Sequence, residues 1–246
     1  MGRFEITMEI NKVSWHLDLL KQAIKKVNER YIRSGDLEYH PENEAYISLA
    51  ERVFAYELYR QWANILEPYK TGLVLNGETR KDFVGHFIEK FNETKGKNND
   101  SAFFYPDIVL HDENVVESRC NMIVCEIKRY ENIDGTIDDL NKLDLFLSEE
   151  LKPKMDEKEW NSYHYAVFLL IGPQMDKDNH PINLLRDLKK KIKRSQLNIE
   201  PSKQNRIICI TYNGNKSDLN STTLAELLIE QQKETWVDSH RTLYFN

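Results

Sequence analysis

Three residues carry the chemistry this sequence offers: Asp107, Glu126 and Lys128. Glu126 and Lys128 stand two apart in the run NMIVCEIKR, which is rich in β-branched residues and reads as a strand. Side chains alternate faces along a strand, so these two point the same way, while Ile123, Cys125 and Ile127 point into a core. Asp107 follows Pro106 at the head of a second apolar run, PDIVLH. The polar stretch DENVVES joins the two runs, a hairpin signal with a long loop. Folding about the Val116–Glu117 midpoint places Asp107 opposite Glu126, on one face of the sheet.

Two carboxylates opposed in this way repel each other. A hard divalent cation such as Mg²⁺ relieves the repulsion, because it takes one or two carboxylates together with waters and substrate phosphate oxygens. Such an ion acidifies a bound water and stabilises charge on a reacting phosphate. Lys128 could then position or deprotonate the water, or screen the phosphate. A Glu-x-Lys pair on its own is usually a solvated ion pair. The Pro-Asp at hairpin distance, opposite the glutamate, favours the catalytic reading.

These residues need elements to position them. Leu17, Leu20, Ile24, Val27 and Tyr31 recur at helical steps, with Gly35 as the stop. A second helix is predicted from about Asn43 to Leu66, ended by Pro68. Its apolar stripe is Phe54, Ala55, Leu58, Trp62 and Ile65, with Glu51 near the centre and Glu57 at the edge. TGLVLNGET reads as a strand and turn, KDFVGHFIEKF has mixed helical spacing, and KGKNND is a loop. FFYPDIVLH reads as one strand. TIDDLNKLDLFLSEEL follows as a helix, with Leu140, Leu143, Leu147 and Leu151 in step. YHYAVFLLIG is a strand closed by Gly172-Pro173, PINLLRDLKKKIKR a helix, RIICITYNG a strand, and STTLAELLIEQQKE a last helix with Ser or Thr at its cap.

PDIVLH followed by VCEIKR resembles the PD-(D/E)XK signature of the restriction-endonuclease-like nucleases. The helix AERVFAYELYRQW resembles the acidic helix that many of them place before the first core strand. The order helix, three strands, helix, strand is also similar, over roughly residues 45 to 175. The resemblance implies a Mg²⁺-dependent phosphodiesterase, with Mn²⁺ able to substitute. Asp107 and Glu126 would ligate the metal with help from the Ile127 carbonyl, and Lys128 would serve the water. The helix acid would be Glu51 or Glu57: the first is better centred on the apolar stripe, the second sits in the more family-like context YELYRQ. The expected fold is α/β, with a restriction-endonuclease-like core, a central mixed sheet of about four or five strands flanked by helices, and an N-terminal helical extension. Residues 1–42 form that extension, 43–175 the core, and 176–246 a helix-strand-helix part of the same domain. Lys142, one helix beyond the site strand, could reach a phosphate. The basic run Lys189, Lys190, Lys191, Lys193 and Arg194 could hold a nucleic-acid backbone, although such runs are usually solvated helix faces.

The net charge of −6, from 34 basic against 40 acidic residues in 246, argues against a protein that coats nucleic acid but not against a local catalytic patch. Cys120, Cys125 and Cys209 have no metal-finger spacing, and the latter two sit in apolar runs as reduced core residues. The N-terminus carries no signal-like apolar stretch and no run reaches membrane-span length, so a cytoplasmic protein is expected. The functional expectation is an endonuclease acting on DNA in bacterial defence or genome maintenance, alone, as a homodimer or with a partner protein. A catalytically silent binding or assembly module of the same fold and a ribonuclease are the alternatives.

Overall fold

The computed structural model describes residues 13–32, 44–77, 81–84, 101–104, 106–112, 121–148, 152–153, 162–175, 180–192 and 196–230. Helix α1 spans Val13–Lys26 and α2 spans Glu44–Leu66. Pro68 lies in a single 3-10 turn after α2, and Lys70 and Gly72, both at positive φ, turn the chain into strand β1, Leu73–Gly77. Next come β2 (Lys81–Val84), β3 (Ser101–Phe104), β4 (Ile108–Asp112) and β5 (Asn121–Arg129). A 3-10 segment, Tyr130–Gly135, leads from β5 into α3, Thr136–Phe146. The remaining elements are β6 (Lys152–Pro153), β7 (Tyr165–Ile171), α4 (Leu184–Lys191), α5 (Pro201–Gln204), β8 (Ile207–Tyr212), β9 (Asn220–Thr223) and helical residues 224–230.

The result is an α/β protein built on a six-stranded mixed sheet in the order β1-β4-β5-β7-β8-β9. β4 pairs antiparallel with both β1 and β5, β5, β7 and β8 run parallel, and β9 returns antiparallel to β8. Six strands replace the four or five expected, because Asn220–Thr223 form strand β9 immediately before the last helix, which has a threonine at its cap as expected. The helix cap falls at Thr223, whose Oγ1 accepts from the Glu226 amide while the Glu226 carboxylate accepts from the Thr223 amide. This reciprocal capping box sets the boundary between strand and helix.

Both faces of the central strands are buried, as parallel strands under helices require. On one face Ile108, Leu110, Ile123, Cys125, Ile127, Val167 and Leu169 pack under α1 and α2 through Leu20, Ile24, Phe54, Leu58 and Trp62. Each large apolar side chain taken out of water there contributes about 1.5–3 kcal/mol. The N-terminal helix α1 therefore contributes to this core. On the other face Val109, Val124, Ala166, Phe168 and Leu170 pack against α3, α4 and residues 224–230 through Leu140, Leu143, Leu188 and Leu227.

Other elements differ in their bounds. FFYPDIVLH is two strands in two sheets: β3 joins a separate three-stranded sheet, β3-β2-β6, and β4 joins the main one, with Pro106 at the crossing. Proline has no amide to donate to a ladder, so it suits a point where pairing changes partner. Lys81–Val84, within the segment of mixed helical spacing, is strand β2. Helix α3 ends at Phe146 instead of reaching Leu151, and α4 ends at Lys191, where Ile192 turns extended. Gly35, the loop 95–100, the hairpin loop 113–120 with Cys120, Lys193, Arg194 and the tail 231–246 lie outside the described residues. Among the described residues no helix is long and apolar enough to cross a membrane.

Candidate active site

The hairpin register decides the site. Ile108 faces Cys125, Val109 faces Val124 and Leu110 faces Ile123, and the register slips only at Leu110/His111. Continued one step before β4, the same register sets Asp107 opposite Glu126. The Ile127 amide donates to Asp107 Oδ2 at 2.6 Å. The face follows from alternation: Val109 and Val124 belong to the α3 side, so Asp107, Glu126 and Lys128 turn toward α3 as well.

Helix α3 meets them with two residues one turn apart. Lys142 Nζ lies 3.2 Å from Glu126 Oε2 and 3.2 Å from Asp139 Oδ1. Lys128 Nζ lies 2.7 Å from Asp139 Oδ2. Asp139 thus holds both ammonium groups, and it is a site residue that sequence reasoning missed. The available signal was the i, i+3 spacing of Asp139 and Lys142 on a helix directly after the site strand.

The structure separates the two helix acids. Glu51 reaches the end of β5 from the α2 side, where its Oε2 accepts from the Arg129 amide at 3.1 Å. Burial raises its pKa, opposed by Lys128 and by the Arg129 amide. Glu57 instead accepts from Arg60 at 2.7 and 2.9 Å and from Gln61 at 2.7 Å. The Arg60 hydrogen bonds hold its carboxyl below the usual range. The structure therefore brings Glu51, and not Glu57, into the constellation.

Arg129 anchors this end of the sheet. Its guanidinium donates to the Ile32 carbonyl at 3.0 Å and forms a two-pronged contact with Glu131, at 3.0 and 3.1 Å. The residue is 1% exposed, so these partners replace its water. It pins the 3-10 turn Glu29–Tyr31 and the following residue over β5 while its amide holds Glu51.

Burial dominates the electrostatics. It raises Asp107 to about 7, with the Ile127 amide opposing and Glu51 and Asp139 adding to the rise. It raises Glu126 to about 8, against the pull of Lys142 and with further push from Asp107 and Asp139. Burial also opposes the charge on Lys128, but the Asp139 carboxylate outweighs it and the ammonium is held above its ordinary pKa. Lys142 is likewise raised by Glu126 and Asp139, against burial. Glu126 Oε1 is buried and accepts no hydrogen bond among the described residues.

Compared with known proteins, the chain matches no family model, no curated sequence and no solved structure.

Among the described residues no three His, Cys, Asp or Glu side chains converge as a ready-made metal cage. Lys142 sits between Glu126 and Asp139, and Glu51 comes in from the α2 side at the end of β5. The donors nonetheless suit a hard ion, since all are oxygens and Glu126 Oε1 has a lone pair without a partner. The Ile127 amide is spent on Asp107. Cys125 and Cys209 are buried free thiols, and burial pushes the Cys209 thiol up to about 12 and raises that of Cys125, which disfavours a thiolate at either.

The basic helix is less open than its sequence implies. Lys189 pairs with Glu230, Lys191 with Asp134, and Lys190 lies 3.8 Å from Asp187. These carboxylates answer much of the positive charge of α4, which weakens it as a phosphate-binding face.

Proposed function

We propose that this protein is a metal-dependent phosphodiesterase of the PD-(D/E)XK type, a nuclease acting on DNA, with Asp107, Glu126, Lys128 and Glu51 at its site. The observation that carries this reading is the pairing of Asp107 with the Ile127 amide, which sets one carboxylate beside Glu126 at the head of a two-residue Glu-x-Lys step. The run α2-β1-β4-β5-α3-β7, with β5 and β7 parallel, supports a restriction-endonuclease-like core.

In this reading Asp107 and Glu126 would hold Mg²⁺, or Mn²⁺, and the Ile127 carbonyl would assist them. The ion supplies an acidified water and a sink for charge on the phosphate oxygens. Glu51 adds negative charge at the end of β5. Lys128, kept protonated by Asp139, orients the water and screens the phosphate instead of acting as a free base. Buried carboxylates suit this task, because their raised proton affinity is relieved when a cation arrives.

A catalytically silent binding module is the second reading. It is favoured by the engagement of both Lys128 and Lys142 with Asp139 and by the paired charges of α4. One experiment separates the two. Purified protein is incubated with circular DNA, linear DNA and RNA, each with Mg²⁺, Mn²⁺ or EDTA. Metal-dependent cutting of DNA that Asp107→Ala abolishes supports the nuclease. Metal binding without cleavage of any substrate favours the module, and cutting of RNA alone moves the substrate class.

A further inference from the structure

The charged groups that face one another here are Asp107, Glu126 and Lys128 from the sheet side, Asp139 and Lys142 from α3, and Glu51 from α2. Among the described residues, Lys142 is the one of these groups that contacts two carboxylates belonging to different elements, Glu126 on β5 and Asp139 on its own helix. We infer that Lys142 is a built-in counter-ion, which neutralises Glu126 beside Asp107 in the absence of a divalent cation and leaves Glu126 when one enters. This rests on the metal-dependent reading above.

Four features support it. The Lys142 ammonium lies 3.2 Å from Glu126, one of the two carboxylates that would share the ion, and its charge also acts on the other, Asp107. It satisfies only one oxygen of Glu126, leaving Oε1 buried with no donor among the described residues. The Lys142 side chain is 23% exposed against 6% for Glu126, so the lysine has a way out to solvent and the glutamate has none. Finally, Asp139 and Lys142 are one helical turn apart. A Lys142 that releases Glu126 stays tethered to Asp139, at the edge of the site where a phosphate would approach. The exchange is one of cations and breaks no covalent bond: one ammonium is replaced by one divalent ion, and the lysine keeps its proton.

The test uses the full chain as wild type, Lys142→Met and Lys142→Arg. Each is titrated with Mg²⁺ and with Mn²⁺ by calorimetry. The methionine keeps the aliphatic volume and removes the competing charge, so it should bind the metal at least about tenfold tighter. Arginine keeps the charge and should stay within about threefold of wild type. Wild-type protein is also acylated at lysine and read by mass spectrometry, with exposed Lys216 as internal reference. Saturating Mg²⁺ should raise the labelling of Lys142 relative to Lys216. This second readout holds even where a variant folds poorly. Wild-type binding with no gain in Lys142→Met, or Lys142 labelling that metal leaves unchanged, overturns the counter-ion role alone. Failure of both wild type and Lys142→Met to bind either metal overturns the counter-ion and the metal-dependent reading together.

Discussion

Asp107 Oδ2 accepts a 2.6 Å hydrogen bond from the amide of Ile127, the residue after Glu126, so one acid of the site is held by the backbone beside the other. That bond fixes the direction of Asp107 but does not offset the cost of burying it, and Asp107 and Glu126 are raised to about 7 and about 8. In an unfolded chain both ionise near about pH 4. Between these values the folded state carries protons that the unfolded state lacks, so stability falls as pH rises. Stability that is present in full below about pH 4 is lost progressively as pH climbs through the folded values. Metal-free protein should therefore melt higher at pH 5 than at pH 8. Asp107→Asn should flatten the trend and melt at or above wild type at pH 8. Thermal melts from pH 5 to 8 in EDTA measure this, and a large loss of stability in Asp107→Asn would mark the acid as a structural ion-pair member.

Glu51 and Glu57 should behave oppositely. Glu51→Gln removes a carboxylate at the end of β5 and should reduce cleavage by about a hundredfold or more, the scale for a lost electrostatic group. Glu57→Gln disturbs only the contacts with Arg60 and Gln61 and should cleave at close to the wild-type rate. Equal loss in both variants would contradict the placement of Glu51.

Lys128→Ala should abolish cleavage while leaving Mg²⁺ binding intact or tighter, because a competing cation beside Asp139 is gone. Calorimetry run beside a cleavage assay separates the two effects. Cutting at the wild-type rate would rule out the mechanism proposed for this lysine.

Gly172→Ala should destabilise the protein by about 1–3 kcal/mol, the usual cost of overpacking. A Cβ there would stand 2.6 Å from Tyr130 Cβ and 3.0 Å from Leu184 Cδ2, inside the contact that presses the 3-10 segment after β5 onto the end of β7. Denaturant unfolding checks the magnitude. An unchanged midpoint would show that this contact yields freely.

Much of the site was legible from local rules. Alternation along NMIVCEIKR put Glu126 and Lys128 on one face, and the symmetry of a hairpin about Val116–Glu117 is the register seen at Ile108–Cys125. These are properties of a chain and its nearest partner, and a β ladder transmits them without reference to the rest of the fold. The choice between Glu51 and Glu57 was not legible, because it depends on how α2 lies across the sheet and on the Arg129 amide 78 residues away. Nor was Asp139, whose place beside Lys128 arises only when the 3-10 turn folds α3 back over β5. The state of the charges is likewise a tertiary matter. The sequence determined which ionisable groups share a strand face, but burial from both sides of the sheet raised the proton affinities of Asp107 and Glu126 and drew Lys142 in between Glu126 and Asp139, since charge taken out of water must find its partner within the protein.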